Sequence, residues 1–227
     1  MNILIAAPTE REYDYMATAI AEAGETRHTY TLIRCGVGKA AAAAAVSATV
    51  AAFKGRPNIE VSKFGEHSDN LFEAFPPLEK GETPKQPFDA IAVIGFAAGT
   101  ADFKQGDIAI PSAARYHDCN VPDGFVPELT DPYKLLGTDN ITVFTGDSFV
   151  DADIVRDIKR RFGIKRAIFD MEIDAIAIAA DICGKIPVIA VKMISDVPEA
   201  GHNDQSYEEF ADRHSDFGPI LEKIEAL

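Results

Sequence analysis

The sequence predicts an α/β fold in a single domain, and three observations carry that expectation. Short apolar, β-branched runs alternate with segments of helical period along the chain, as in sheets covered by helices. Hydrophobic residues make up 47% of the 227, enough for one large core and too many for a disordered chain. No internal repeat, heptad run or cysteine–histidine metal spacing interrupts the alternation.

The first element, Asn2 to Ala7, is a compact apolar strand of the kind buried on both faces. Pro8-Thr9 then turns the chain, and Thr9 with Glu12 three residues on makes a capping-box pattern, TERE. On that pattern alone Glu12 reads as a helix cap. Tyr13, Met16 and Ile20 supply the buried stripe of the helix. Thr29 to Cys35 is a short strand, and Gly36-Val37-Gly38-Lys39 is the next turn. This turn lacks the spacing of a phosphate loop or a dinucleotide fingerprint, so its glycines are read as permitting close backbone approach. Ala40 to Phe53 is a helix of small residues, able to lie close to a neighbour.

Arg56 to Pro87 is polar, proline-bearing and without a period. It reads as an irregular surface excursion at about residues 60–87, with a short helix around Asp69–Phe75 and a solvated His67. Phe88 to Ile94 is a buried strand opening into a small-residue turn, Gly95-Phe96-Ala97-Ala98-Gly99, suited to a ligand. A strand from Ile108 follows and ends in Arg115-Tyr116-His117-Asp118. His117 and Asp118 read as a structural pair, because a metal site needs more ligands. The loop from Asn120 to Tyr133 exposes Val121 and Phe125, which either fold back or reach a partner subunit.

Ile141 to Thr145 is a strand, Gly146 to Val150 its turn, and Ile154 to Phe162 a basic amphipathic helix with a solvated face. Ile168 to Val197 reads as strand, helix and strand, with Glu172 and Asp196 at the two strand exits. Ligands of parallel α/β sheets sit at such exits, and two carboxylates there can divide substrate holding from proton donation. Ser206 to Leu227 ends the chain as a helix interrupted near Gly218-Pro219.

A formal charge of −14 argues against nucleic acid or an anionic membrane as partner. The N-terminus is too quickly acidic for a signal peptide, and no apolar run reaches membrane-spanning length. Cys35, Cys119 and Cys183 read as reduced thiols, so a cytoplasmic protein without metal or cofactor is expected.

In that order APTERE, GVGKAAAA, GFAAG, QGDIAI, RYHD, TGDSFV, DMEIDAIA and KMISDV resemble the purine nucleoside phosphorylase/hydrolase superfamily. The likeness is nearest to its 5'-methylthioadenosine/S-adenosylhomocysteine nucleosidases and covers the chain apart from residues 60–87. It implies a central mixed, twisted sheet surrounded by helices, hydrolysis of a purine N-glycosidic bond, and a homodimer. Carried over by motif, Asp196 matches the acid that protonates the purine, with Ser195 in support. Glu12 matches the base that orients water, and Met171 and Glu172 match the ribose contacts. Phe149 matches the ring that stacks on the base, and Val150 offers it main-chain bonds. Val37 and Tyr207 match walls around the sugar and its 5' substituent, while Val121 and Phe125 match positions reaching the neighbouring subunit's site.

The sequence departs from the phosphorylases where they hold phosphate. The first-strand loop is Ala7-Pro8-Thr9-Glu10-Arg11-Glu12, and Val93 and Phe96 occupy phosphate-binding positions. An apolar pair cannot hold a dianion, so water is the expected nucleophile and Arg11 is expected to face solvent. Phe96 also replaces the nucleosidases' serine and brings a large ring toward the sugar subsite. Asp151 stands for a common asparagine and Lys192 for an arginine. A sister branch acting on futalosine-type nucleosides also varies at this turn and supplies a second substrate class. Phosphorolysis and nucleoside binding without catalysis are the competing activities.

Overall fold

The computed structural model describes residues 1–53, 86–119, 133–202 and 204–227. The expected short helix near Asp69, His67, Val121 and Phe125 lie outside them. The described residues form one mixed sheet of nine strands with six α-helices on its faces.

Strand β1 (Asn2–Ala7) lies between β2 (Thr29–Arg34) and β3 (Ala90–Gly99), parallel to both. Its side chains alternate between two cores. Ile3, Ile5 and Ala7 face α1 (Glu10–Ala23), α5 (Asp204–Arg213) and α6 (Gly218–Glu225). Leu4 and Ala6 face α2 (Lys39–Phe53) and α4 (Ile173–Ile182). Burial on both sides is what a continuous apolar run requires. A third cluster packs Val155 and Ile158 of α3 (Ala152–Phe162) against Phe144 and Phe169, so the basic helix is solvated on one side only. Asp151 caps that helix, accepting from the N–H groups of Asp153 and Ile154.

The sheet continues beyond β3 through β8 (Ala167–Asp170), β7 (Asp139–Thr145), β5 (Pro111–Tyr116) and β6 (Tyr133–Lys134). On the opposite edge of β3 runs β9 (Val188–Asp196), parallel to it and wholly buried, and β4 (Ile108–Ala109) flanks β9. The small-residue segment Gly95–Gly99 is therefore strand rather than turn. Its backbone groups are taken up by β9 and β8, partners that lie far along the chain. It keeps turn-like features inside the strand: Gly95 has φ +122° and the register shifts between Ala97 and Ala98.

One consequence of this topology places the site. β1 runs parallel to β3 and reaches Val93 with Ala6, whereas β8 runs antiparallel and reaches Ala98 with Phe169. The carboxyl ends of β1 and β8 thus point toward each other, with Gly95 and Phe96 left between them. The expected terminal helix is two helices, α5 and α6, separated ahead of Pro219.

Candidate active site

A cleft of about 270 Å³ opens where those strand ends converge. Glu12, Glu172 and Asp196 line it, as do Met171, Phe149, Val150, Ser195, Val37, Phe96 and Tyr207. Every residue picked from the sequence that falls among the described positions is therefore in one place.

Glu12 comes from the first turn of α1 and is 3% exposed. Its Oε2 accepts from the main-chain N–H of Thr9 at 3.0 Å and from the Thr9 hydroxyl at 2.6 Å, while its own N–H donates to Thr9 Oγ1. Its Oε1 accepts the Phe96 N–H at 2.8 Å. One carboxylate thus caps the helix and lines the cleft. Gly95 makes room for it: a Cβ there would sit 2.2 Å from Oε1.

Glu172, at the N-terminus of α4, accepts from the Gly38 N–H at 2.9 Å. This is the close approach for which the GVGK glycines allow. Asp170, just before it, accepts from the Thr145 hydroxyl at 2.6 Å and from the N–H groups of Glu172 and Ile173. Behind both lies Lys192, fully buried, its Nζ 3.7 Å from Asp170 and 4.0 Å from Glu172. Its ammonium makes no hydrogen bond among the described residues. Burial pushes Glu172 up to about 7, opposed by Lys192 and Gly38 and reinforced by Asp170. Burial and Glu172 also push the Cys35 thiol up to about 12.

Asp196 ends β9. Its Oδ1 accepts from the Ser195 hydroxyl at 2.6 Å, and the same hydroxyl oxygen lies 3.2 Å from the Ala97 carbonyl. Burial raises the Asp196 carboxyl, against the Ser195 bond and the nearby His202.

The aromatic side of the cleft is Tyr207, whose ring lies 5.7 Å from Phe149 and 6.0 Å from Phe96. Phe149 is 57% exposed and Val37 52%, two apolar faces open at the cleft mouth. The ring of Phe96 is not loose in the cleft. Edge-on packing against Phe210 and Phe217 anchors it in the core below α5 and α6. Arg11 is only partly solvated: it pairs with Glu208 and Asp212 of α5. His117 and Asp118 do not form the expected pair. Asp118 binds Lys39, and His117 is buried with its Nε2 unpartnered among the described residues.

Sequence reading missed Thr9, Ser148, Asp170 and Glu208 as cleft residues. It also missed the burial of Lys192. The capping box held the clue to Thr9, and the lone charge inside an apolar strand held the clue to Lys192.

The sequence profile of the Phosphorylase superfamily matches residues 7–224. Among solved structures, a Borrelia burgdorferi protein proposed to be a 5'-methylthioadenosine/S-adenosylhomocysteine nucleosidase, bound to adenine, is 21% identical at a TM-score of 0.71, covering 99% of this chain and 98% of its own. The Neisseria meningitidis 5'-methylthioadenosine/S-adenosylhomocysteine nucleosidase with methylthio-immucillin-A is 17% identical at 0.70, covering 100% and 99%. The Streptococcus pyogenes S-adenosylhomocysteine nucleosidase with 5-methylthiotubericidin is 20% identical at 0.67, covering 97% and 94%. With the profile spanning almost the whole sequence and the same fold recurring over the same length, the chain belongs to the phosphorylase superfamily.

Proposed function

We propose that the protein hydrolyses the N-glycosidic bond of a purine nucleoside, with 5'-methylthioadenosine or S-adenosylhomocysteine as substrate. The observation that carries this reading is the convergence of Glu12, Glu172 and Asp196 on one cleft that no Arg, Lys or His lines among the described residues.

Glycosidic cleavage develops positive charge on the ribose and negative charge on the departing base. Carboxylates near the sugar and a proton donor at the base therefore stabilise the transition state more than the ground state. Asp196, raised by burial, protonates the purine; Ser195 orients it. Glu172, held by the Gly38 N–H, binds the ribose hydroxyls beside Met171. Glu12, fixed on two sides, orients the attacking water. The exposed face of Phe149 stacks on the base, and Val37 and Tyr207 border the 5' substituent. A methylthio group suits such walls, and two of the similar structures hold 5-methylthiotubericidin or methylthio-immucillin-A.

Hydrolysis is favoured over phosphorolysis by charge. A phosphate dianion in this cleft would meet Glu12, Asp170, Glu172, Asp196 and Glu208. Val93 is fully buried in apolar core, Arg34 pairs with Glu10 outside the cleft, and the Arg11 guanidinium is taken up by Glu208 and Asp212. The protein is further proposed to act as a homodimer.

Incubation with methylthioadenosine, S-adenosylhomocysteine, inosine and futalosine, with and without phosphate, tests the reading. Adenine released at equal rates in both buffers is expected. Formation of ribose 1-phosphate would reverse the choice of nucleophile, and preference for futalosine would reverse the choice of substrate.

A further inference from the structure

Lys39 follows the two glycines of the β2–α2 turn and sits outside the cleft. Its Nζ lies 2.7 Å from Asp118 Oδ1 and 3.1 Å from Asp147 Oδ2, and over the ring of Tyr116 at 4.9 Å from the centroid. Its main-chain N–H donates to Asp147 Oδ1 at 3.0 Å, and the Asp147 N–H donates to Asp118 Oδ2 at 2.9 Å. These bonds close a ring around three chain segments: the turn before α2, the end of β5, and the loop after β7.

Two of those segments carry walls of the cleft. The residue before Lys39 donates its N–H to Glu172, and the loop bound through Asp147 leads within two residues to Phe149. Successive amides of one turn thus go to the cleft carboxylate and to the loop of the stacking ring. Gly38 adopts φ +90°, which lets the turn present both. Phe149 is 57% exposed, and the ring contact it makes among the described residues is with Tyr207.

We propose that Lys39 is a positioning residue for the substrate cleft, clasping the turn that binds Glu172 to the loop that carries Phe149 through Asp118 and Asp147. This rests on the nucleosidase reading of the site. Without the ammonium, Asp118 and Asp147 face each other as like charges, and the loop moves away from the turn. Base stacking is present in the bound substrate and the transition state alike, so its loss raises KM more than it lowers kcat.

The test is steady-state hydrolysis of 5'-methylthioadenosine by Lys39→Met, Lys39→Arg, Asp118→Asn and the Lys39→Met/Asp118→Asn double variant, with melting temperatures alongside. KM in Lys39→Met is expected to rise about tenfold with kcat within about threefold. Lys39→Arg is expected to recover most of that loss, and the double variant to be no worse than Lys39→Met, the non-additivity of a shared network. Additive effects, or a fall in kcat at constant KM, would overturn the clasp. Should Lys39→Met not fold, Asp118→Asn reads the same network, and an unchanged KM there also overturns it. If the wild-type protein releases no base, the nucleosidase reading fails instead. The clasp is then judged by adenine binding, which Lys39→Met must weaken.

Discussion

One oxygen of Glu12 accepts the Phe96 N–H at 2.8 Å, so the cap of α1 is fastened to β3 where neither β1 nor β8 pairs with it. The other oxygen is engaged by Thr9. A carboxylate held from both sides loses little entropy on orienting a water molecule, the preorganisation that catalytic groups need.

Glu12→Gln keeps a side chain that suits a capping box. Its amide group then faces the Phe96 N–H, so the melting temperature is expected to drop modestly while kcat falls by about 10²–10⁴. Nucleoside affinity, read by calorimetry, should persist. Normal turnover with a lowered melting temperature would return Glu12 to a purely structural role.

Gly95→Ala puts a methyl group within 2.2 Å of Glu12 Oε1 at a backbone φ of +122°. The strain costs about 1–3 kcal/mol, and the carboxylate must leave the Phe96 N–H. Thermal unfolding and kcat should both drop. A stability loss with turnover intact would show that the position of this oxygen does not matter to the reaction.

Asp196→Asn should abolish adenine release and leave the fold unchanged. In the wild type the acid must be protonated, so kcat is expected to fall as pH rises through the raised Asp196 value. Ser195→Ala removes a donor that favours the charged form, moving this alkaline limb to higher pH. A limb that stays put would detach Ser195 from the acid.

Lys192→Met leaves Asp170 and Glu172 buried without their cation. Breaking such an arrangement costs about 3–5 kcal/mol, measurable by urea unfolding, and Lys192→Arg should restore most of it. Equal stability of Lys192→Met and wild type would mean that protons, not the ammonium, balance these carboxylates.

Asp174 tests the acid dependence of the fold apart from the cleft. It is buried, its Oδ1 is unpartnered among the described residues, and burial followed by Asp170 pushes it from 3.8 to about 7. A raised carboxyl binds its proton more tightly in the folded state. Its stabilising contribution is full below pH 3.8 and lost as pH rises through about 7. Asp174→Asn should therefore melt higher than wild type at pH 8 and about level with it at pH 4, in paired calorimetric scans.

What could be read from the sequence was what acts over a few residues. The capping box at Thr9 and Glu12, the glycines of GVGK and the interruption before Pro219 each rest on local backbone chemistry, and each recurs in the structure. GFAAG looked like a turn because its glycines and alanines have turn chemistry; distant strands β8 and β9 made it part of the sheet. The same distance hid Lys192, whose acidic companions come from another strand exit, and Lys39, whose carboxylates lie 79 and 108 residues away. The roles assigned to Val121 and Phe125 lie outside the described residues.

The cleft also joins residues from opposite ends of the chain. Glu12 stands near the start of the chain and Asp196 near its end, and β9 enters beside β3 only after the intervening strands exist. Contacts so distant in sequence close slowly, because the loop entropy is lost before the pairing repays it. A chain that has not yet formed β9 therefore lacks the wall that Ser195 and Asp196 give the cleft. The cleft is complete only when the strand that carries Asp196 has paired with β3.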